Sequence, residues 1–307
     1  MEFERCESEH ALYTRRTEHG RLVVGVYVDD LVITGASKQE IEAFKKQMKS
    51  TFNMSDLGLL TYYLGIELLE RSGMGECRVN KTPMEEKLKL SKEGKAGKVD
   101  ATNYRSIVGG LRYLVHMRSD LAFAVGYVSR FMAEPREDHR TAVQHILRYV
   151  ARTINYGLVY TRHGGEANLI GYSDSDMGGD MIVALSTCKA EYVAAATACC
   201  QAVWLRRLLR EVTGEEPRAP VLRVDNRSAI ELAKNPVLHD RSKHIDIRFY
   251  FIRECVGGGQ VVLGHVDTVQ QLADLLTKPL GQKQLAQLMT KIGVEEITHP
   301  ATASTED

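Results

Sequence analysis

The stretch Arg21-Leu22-Val23-Val24-Gly25-Val26-Tyr27-Val28-Asp29-Asp30-Leu31-Val32-Ile33-Thr34-Gly35 constrains the fold more than any other in the chain. Two apolar, β-branched runs flank a pair of adjacent carboxylates. Short apolar runs bounded by turn residues read as buried strands. The pattern predicts a tight hairpin that forces Asp29 and Asp30 to its tip. Adjacent charges at the end of a buried hairpin are costly unless solvent or a metal takes them. A hard divalent cation with oxygen ligands suits such a place. A plain solvated acidic turn is the alternative that the pair alone leaves open.

Tyr27-Val28-Asp29-Asp30 is accompanied by Ser8-Glu9-His10-Ala11-Leu12-Tyr13, Met54-Ser55-Asp56-Leu57-Gly58 and Tyr62-Tyr63-Leu64-Gly65-Ile66-Glu67. Together these resemble the polymerase hairpin and its surroundings in the copia-type LTR retrotransposon Pol polyprotein. The resemblance runs from about the hairpin to near the C-terminus. It implies a partial reverse transcriptase palm, with Asp29 and Asp30 as metal-binding acids of a polymerase site. That site requires a further Asp from an earlier palm strand, and fingers to hold template and nucleotide. Only 28 residues precede Asp29, so the expectation is that this chain alone does not polymerise.

A length of 307 residues suggests roughly two domains. A hydrophobic content of 44% is enough for ordinary cores. Forty Lys plus Arg balance forty Asp plus Glu, so no gross basic charge announces a nucleic-acid binder, although local patches matter more than the total. The six cysteines show neither a Cys-x-x-Cys pair nor zinc spacing, and their scatter suits a reducing compartment. The chain has no signal-peptide pattern and no long apolar run, so the expectation is a soluble intracellular protein without a membrane partner.

Residues 1–20 read as a polar lead-in. Ser37-Lys38-Gln39-Glu40 reads as a capping box, and Ile41, Phe44 and Met48 follow at helical spacing as a stripe that packs on the hairpin. Leu60 to Leu68 reads as a strand. Glu67-Leu68-Leu69-Glu70-Arg71-Ser72-Gly73-Met74 then passes straight into what looks like the end of a later helix. Similar proteins carry a strand and most of a helix between those points, which points to an internal deletion. From Lys81 to Ala101 the chain is Lys- and Glu-rich with Pro83, Gly94 and Gly97, a loop or linker. Residues 103–153 look helical throughout, and Tyr104 to Leu114 and Asp120 to Val125 resemble the family's helical connection after the palm. Between residues 101 and 162 nine Arg outnumber four Asp or Glu by five. Arg105, Arg112, Arg130 and Arg148 could track phosphates, or could equally belong to a solvated helix face.

Beyond the linker, strands are predicted at Leu158–Tyr160, Ala167–Ser173, Val221–Val224 and Gln260–Val266. Helices are predicted at Thr187–Val212, Ser228–Lys234, His244–Cys255 and Gln282–Ile292, with a helical turn at Leu272–Thr277 and a frayed tail from Val294. The stripe expected inside the longest helix is Val193, Ala196, Cys200, Val203, Trp204 and Leu208. Cys199 and Cys200 should point apart.

Four carboxylates form a second constellation: Asp174 ending a strand, Glu191 early in a helix, Asp225 ending another strand, and Asp274 near a helix start. Groups at the C-terminal ends of neighbouring strands converge on one crevice in open α/β sheets. Carboxylates gathered there suit two Mg²⁺ ions about 4 Å apart in phosphodiester hydrolysis. Each Asp taken alone reads as a cap or turn residue. Their contexts, Gly171-Tyr172-Ser173-Asp174-Ser175-Asp176, Ala190-Glu191-Tyr192-Val193, Val224-Asp225-Asn226 and Ala273-Asp274-Leu275-Leu276-Thr277-Lys278-Pro279, resemble the ribonuclease H domain of the same polyprotein. That resemblance makes the four acids its metal ligands and an RNA–DNA hybrid, or a DNA/RNA template-primer, the nucleic-acid partner.

Two departures from the family stand against activity. Five apolar residues, Met181 to Leu185, occupy the place of two strands and a turn, so the chain looks cut near 180–183. Lys189 stands where the family has Glu, and it faces the positive end of the helix dipole at about 0.3–1 kcal/mol. His239 and His244, around Arg241-Ser242-Lys243, read as a helix-start or substrate contact rather than a metal pair.

The expected architecture is α+β / α/β. It has a partial palm over 1–80, a linker and helical connection over 81–162, a ribonuclease H-like mixed sheet with helices over 163–293, and a disordered tail over 294–307. The expected function is that of a degenerate reverse transcriptase/ribonuclease H remnant. The enzymatic alternative is residual Mg²⁺-dependent ribonuclease H.

Overall fold

The computed structural model describes residues 3–56, 68–70, 72–74, 78–93, 96–160, 168–175, 187–234 and 246–297. The chain divides into two compact units, Met1–Thr61 with Gly164–Ser173 and Ile182–His265, and Tyr62–His163 with Asp174–Met181 and Val266–Asp307. The strand expected from Leu60 falls outside the described residues up to 67, as do the cut near 180–183 and both His239 and His244. Leu68 itself is helical.

In the first unit, β1 (Glu4–Arg5), β2 (Leu12–Thr17), β3 (Gly20–Tyr27) and β4 (Asp30–Gly35) form an antiparallel sheet in sequence order. The polar lead-in is therefore not a plain lead-in. Tyr13 pairs with Val24 and Thr14 with Val23, so the polar strand is recruited by its neighbour's apolar one. Helix α1 (Lys38–Thr51) begins where Ser37 accepts from the Glu40 N–H, and its Phe44 packs with Leu22 and Val24, flanked by Ile41 and Met48.

The same unit holds a parallel sheet, β6 (Ile170–Ser173), β7 (Val221–Val224) and β8 (Val262–His265), with β7 in the middle. Its crossovers carry α5 (Thr187–Thr213), α6 (Arg227–Lys234) and α7 (Asp246–Gly257). Asn226 caps α6 by accepting from the Ala229 N–H at 3.1 Å. The buried stripe of α5 runs through Tyr192, Ala195, Ala196, Cys199 and Ala202, whereas Cys200 and Trp204 are exposed. Small residues at these positions let the helix lie close to Leu222, Val224 and Ile252, so close packing overrode the larger apolar residues in choosing the inward face. Cys199 and Cys200 do point apart.

A clamp ties the antiparallel sheet to the far end of α5. Ser8 donates its hydroxyl and N–H to the Glu211 carboxylate, Arg21 donates to the Glu211 carbonyl at 2.6 Å, and the Trp204 indole N–H donates to the Ser8 carbonyl at 2.8 Å. The Ser8 hydrogen bond holds the Glu211 carboxyl below the usual range.

The second unit is built on α2 (Ala101–Leu114), α3 (Ala122–Ser129), α4 (Glu137–Arg152) and α8 (Gln282–Lys291). The stretch expected to be continuous helix from 103 to 153 is broken twice. Pro135 lacks an N–H and disfavours helix before it. At the other break, Arg118 turns inward to bind Asp120 through two hydrogen bonds of 2.9 and 2.8 Å, and donates to the Thr153 carbonyl at 2.7 Å. Tyr149 completes this buried network by donating to Asp120 at 2.8 Å. Residues 68–70 do end a helix, as expected. The Met74 N–H bonds the Leu69 carbonyl and the Gly73 N–H the Glu70 carbonyl, with Gly73 at φ 67°, the hydrogen-bond pair of a Schellman stop. The tail is ordered further than expected: β9 (Val294–Glu296) pairs antiparallel with β5 (Tyr156–Leu158), because Val294 is buried in the helical core.

Among the described residues, no helix is long and apolar enough to cross a membrane.

Candidate functional site

The hairpin predicted from the sequence forms, and Tyr27 pairs with Asp30 across a loop of Val28 and Asp29. A two-residue loop must turn sharply, and its first residue adopts a positive φ that glycine prefers. Here that residue is Val28, at φ 56°, the one non-glycine residue with positive φ among those described. A β-branched side chain in that region carries strain of about 1–3 kcal/mol. Val28 and Tyr27 are 85% and 75% exposed, and Asp29 and Asp30 are exposed with them. Solvent therefore takes both charges, which removes the burial cost that the sequence reading assigned to them.

The second constellation is held differently. Ser173 and Val224 are partners in the parallel register of β6 and β7. Asp174 is bonded to Ser173 and Asp225 to Val224, so the two acids leave neighbouring strands at the same C-terminal edge. Glu191 lies in the second turn of α5 and is 7% exposed. Carboxylate oxygens of Asp174, Glu191 and Asp225 all lie within 4.8 Å of one another. Three like charges this close repel unless a cation or a shared proton relieves them. All the donors are hard oxygens, the set that Mg²⁺ or Ca²⁺ takes.

The fourth acid, Asp274, opens the helical turn Asp274–Thr277 and is 2% exposed. Lys278, one helical turn on, places its Nζ 2.8 Å from Asp274 Oδ1 and 3.1 Å from Asp174 Oδ2. Thr277 Oγ1 donates to Asp174 Oδ2 at 2.5 Å. Burial pushes the Lys278 ammonium down, but hydrogen bonds and charge from Asp274 and Asp174 outweigh it, so its pKa is raised. The role of Lys278 is absent from the sequence reading. Its signal was the four-residue spacing from Asp274, which puts the two side chains on one face of a helical turn.

Of the arginines, Arg105 and Arg112 lie seven residues apart on α2 and both are exposed. Arg130 is exposed at the end of α3, with its guanidinium 5.7 Å from the Tyr127 ring centroid, and Arg148 is half-buried on α4. The pair on α2 shares a face; the other two sit on separate elements.

Residues 1–83 match the family model for reverse transcriptase (RNA-dependent DNA polymerase). Over 94% of its length the chain is 34% identical to the retrovirus-related Pol polyprotein from transposon RE1 of Arabidopsis thaliana. Over 88% it is 34% identical to the corresponding polyprotein from transposon TNT 1-94 of Nicotiana tabacum. It spans 23% and 24% of the length of those two relatives. It is also 35% identical, over 50% of its length, to an uncharacterized mitochondrial protein of Arabidopsis thaliana, 71% of which it covers. No solved structure matches the chain.

Proposed function

From the chain's similarity to the Pol polyproteins of copia-type retrotransposons, we propose that it derives from that family and that its remaining chemistry is ribonuclease H cleavage of RNA in an RNA–DNA hybrid. One observation carries the proposal: Asp174, Glu191 and Asp225 bring oxygens within 4.8 Å of one another at the C-terminal edge of a parallel sheet. The reverse transcriptase family generally works with Mg²⁺, and an acidic triad is compatible with that ion. Asp174, Glu191 and Asp225 would hold it, with Asp274 as the fourth acid. Bound there, Mg²⁺ supplies charge neutralisation and a more acidic water for attack on phosphorus. The protein's own part is positional. The paired ends of β6 and β7 aim two carboxylates, and α5 brings a buried third. In this reading residues 1–80 descend from the palm, 81–162 form the linker and connection, and 163–293 form the hydrolytic region.

A second reading, a non-catalytic descendant, rests on Lys278. Its ammonium already neutralises Asp174 and Asp274, which is the service a metal would render there. One assay separates the two readings. The purified chain is incubated with labelled RNA–DNA hybrid and Mg²⁺ beside the Asp174→Asn variant. Cleavage by the parent, reduced about 10²–10³-fold in the variant, supports the hydrolase. Absence of cleavage in both assigns the chain to the non-catalytic class.

A further inference from the structure

Lys278 is placed by its backbone before its charge acts. Pro279 follows it, and a residue before proline is held out of the helical region. Lys278 accordingly leaves the helical turn Asp274–Thr277 at φ −137° and ψ 147°, while its N–H still donates to the Asp274 carbonyl at 3.0 Å. Its Nζ lies 2.8 Å from Asp274 Oδ1, 3.1 Å from Asp174 Oδ2 and 3.3 Å from Asp174 Oδ1. Thr277 Oγ1 donates to the same Asp174 Oδ2. Two consecutive residues thus engage both oxygens of Asp174.

Exposure separates what is fixed here from what can move. The Asp174 and Asp274 side chains are each 3% exposed, whereas that of Lys278 is 41% exposed. Two enclosed carboxylates that share one cation are strongly destabilised when it is removed. A lysine whose stem is partly in solvent can carry its head outward by rotating side-chain bonds alone. An ammonium is also a compact point charge without the fixed fork of a guanidinium. What Lys278 offers the pair is therefore charge and small size, the two properties that a hard divalent ion also offers. Either can neutralise the two carboxylates, but both cannot stand between them at once.

We propose that Lys278 is a resident cation holding the place of one divalent ion, so that the chain binds one fewer than its four acids could take. The inference rests on the reading of these acids as a metal site, and it concerns how many ions that site admits. Hydrolytic carboxylate clusters of this kind suit two ions. Here the ammonium takes the share between Asp174 and Asp274, which leaves Asp174, Glu191 and Asp225 for a single ion. Lys278 is thus a positioning residue. It keeps the two enclosed carboxylates in place when no metal is bound, and it limits the site's stoichiometry when metal is present.

The test counts bound Mn²⁺ on the whole chain, stripped with EDTA and then titrated, from the electron paramagnetic resonance signal of the free ion. The parent should bind one ion and Lys278→Met two. Lys278→Arg keeps a cation and should stay at one. In EDTA, Lys278→Met should melt about 5 °C below the parent, because two enclosed carboxylates lose their cation. Saturating Mn²⁺ should remove most of that difference. A variant that does not fold without metal is counted after refolding in Mn²⁺. Equal counts in the parent and Lys278→Met overturn the proposal, as does a Lys278→Met chain that Mn²⁺ leaves unstable. A parent with no ion beside a Lys278→Met chain with one upholds the proposal and ends the hydrolase reading of the native chain. No ion in either form overturns both.

Discussion

The chain presents its acidic groups in two ways. At the hairpin tip, Asp29 and Asp30 stand in solvent on a strained two-residue loop. At the edge of the parallel sheet, Asp174 and Glu191 are almost fully enclosed, and their oxygens approach one another and Asp225 within 4.8 Å. Solvated carboxylates need no partner, so the hairpin can persist as a shape whatever binds it. Enclosed carboxylates need one, because desolvation and mutual repulsion act on them together. Charge compensation therefore sets the second site's geometry, and backbone geometry sets the first.

The largest effect that sharpens this contrast belongs to a third set of charges, Arg118 and Asp120, whose side chains are 2% and 0% exposed. Arg118→Ala leaves Asp120 buried without its cation and should cost about 3–5 kcal/mol, read by urea denaturation. Next in size is Mg²⁺ itself. At a hundred times its dissociation constant it should stabilise the chain by about 2.7 kcal/mol. Glu191→Gln should lose that gain, whereas Asp29→Asn with Asp30→Asn should keep it. A gain that follows the hairpin acids instead would reverse the comparison.

Smaller effects probe the backbone side. Val28→Gly relieves the positive φ but frees the unfolded chain, and the balance should leave the protein about 1 kcal/mol more stable. A loss of stability in that variant would show that the loop carries no strain.

The smallest effect is titration of the clamp. The Ser8 hydrogen bond depresses the Glu211 pKa, so its stabilisation is present above the unfolded value and is lost as pH falls through the folded one. Trp204 is the sole tryptophan and bonds to Ser8, so its fluorescence should change as pH drops below about 4.5. Ser8→Ala should move that change upward in pH, and an unmoved transition would remove Glu211 from the clamp.

Much of the architecture could be read from residues alone. Val221–Val224 lies where its apolar run placed it, Ser37 caps α1, and the hairpin forms from the two apolar runs that flank the Asp pair. These are local decisions, made by strand propensity, capping and turn chemistry within a few residues. β2 escaped notice because its sequence Leu12-Tyr13-Thr14-Arg15-Arg16-Thr17 is polar, and only pairing with β3 makes it a strand. The break at Arg118 was equally hidden. A basic residue in a helical stretch reads as a surface charge until its partners from distant positions, Tyr149 and Thr153, are in place.

The sequence alone determined which family the chain resembles, the identity of its candidate acids and the elements that bear them. Strand-end aspartates and their neighbouring motifs are one-dimensional facts. Only the tertiary structure decided which acids are enclosed and which are wet. It also assigned Lys278 to Asp174 and Asp274, and showed that Gly110 faces Leu68. Each of these depends on how much solvent and which distant groups surround a side chain, and register, burial and close approach exist only after the chain has packed.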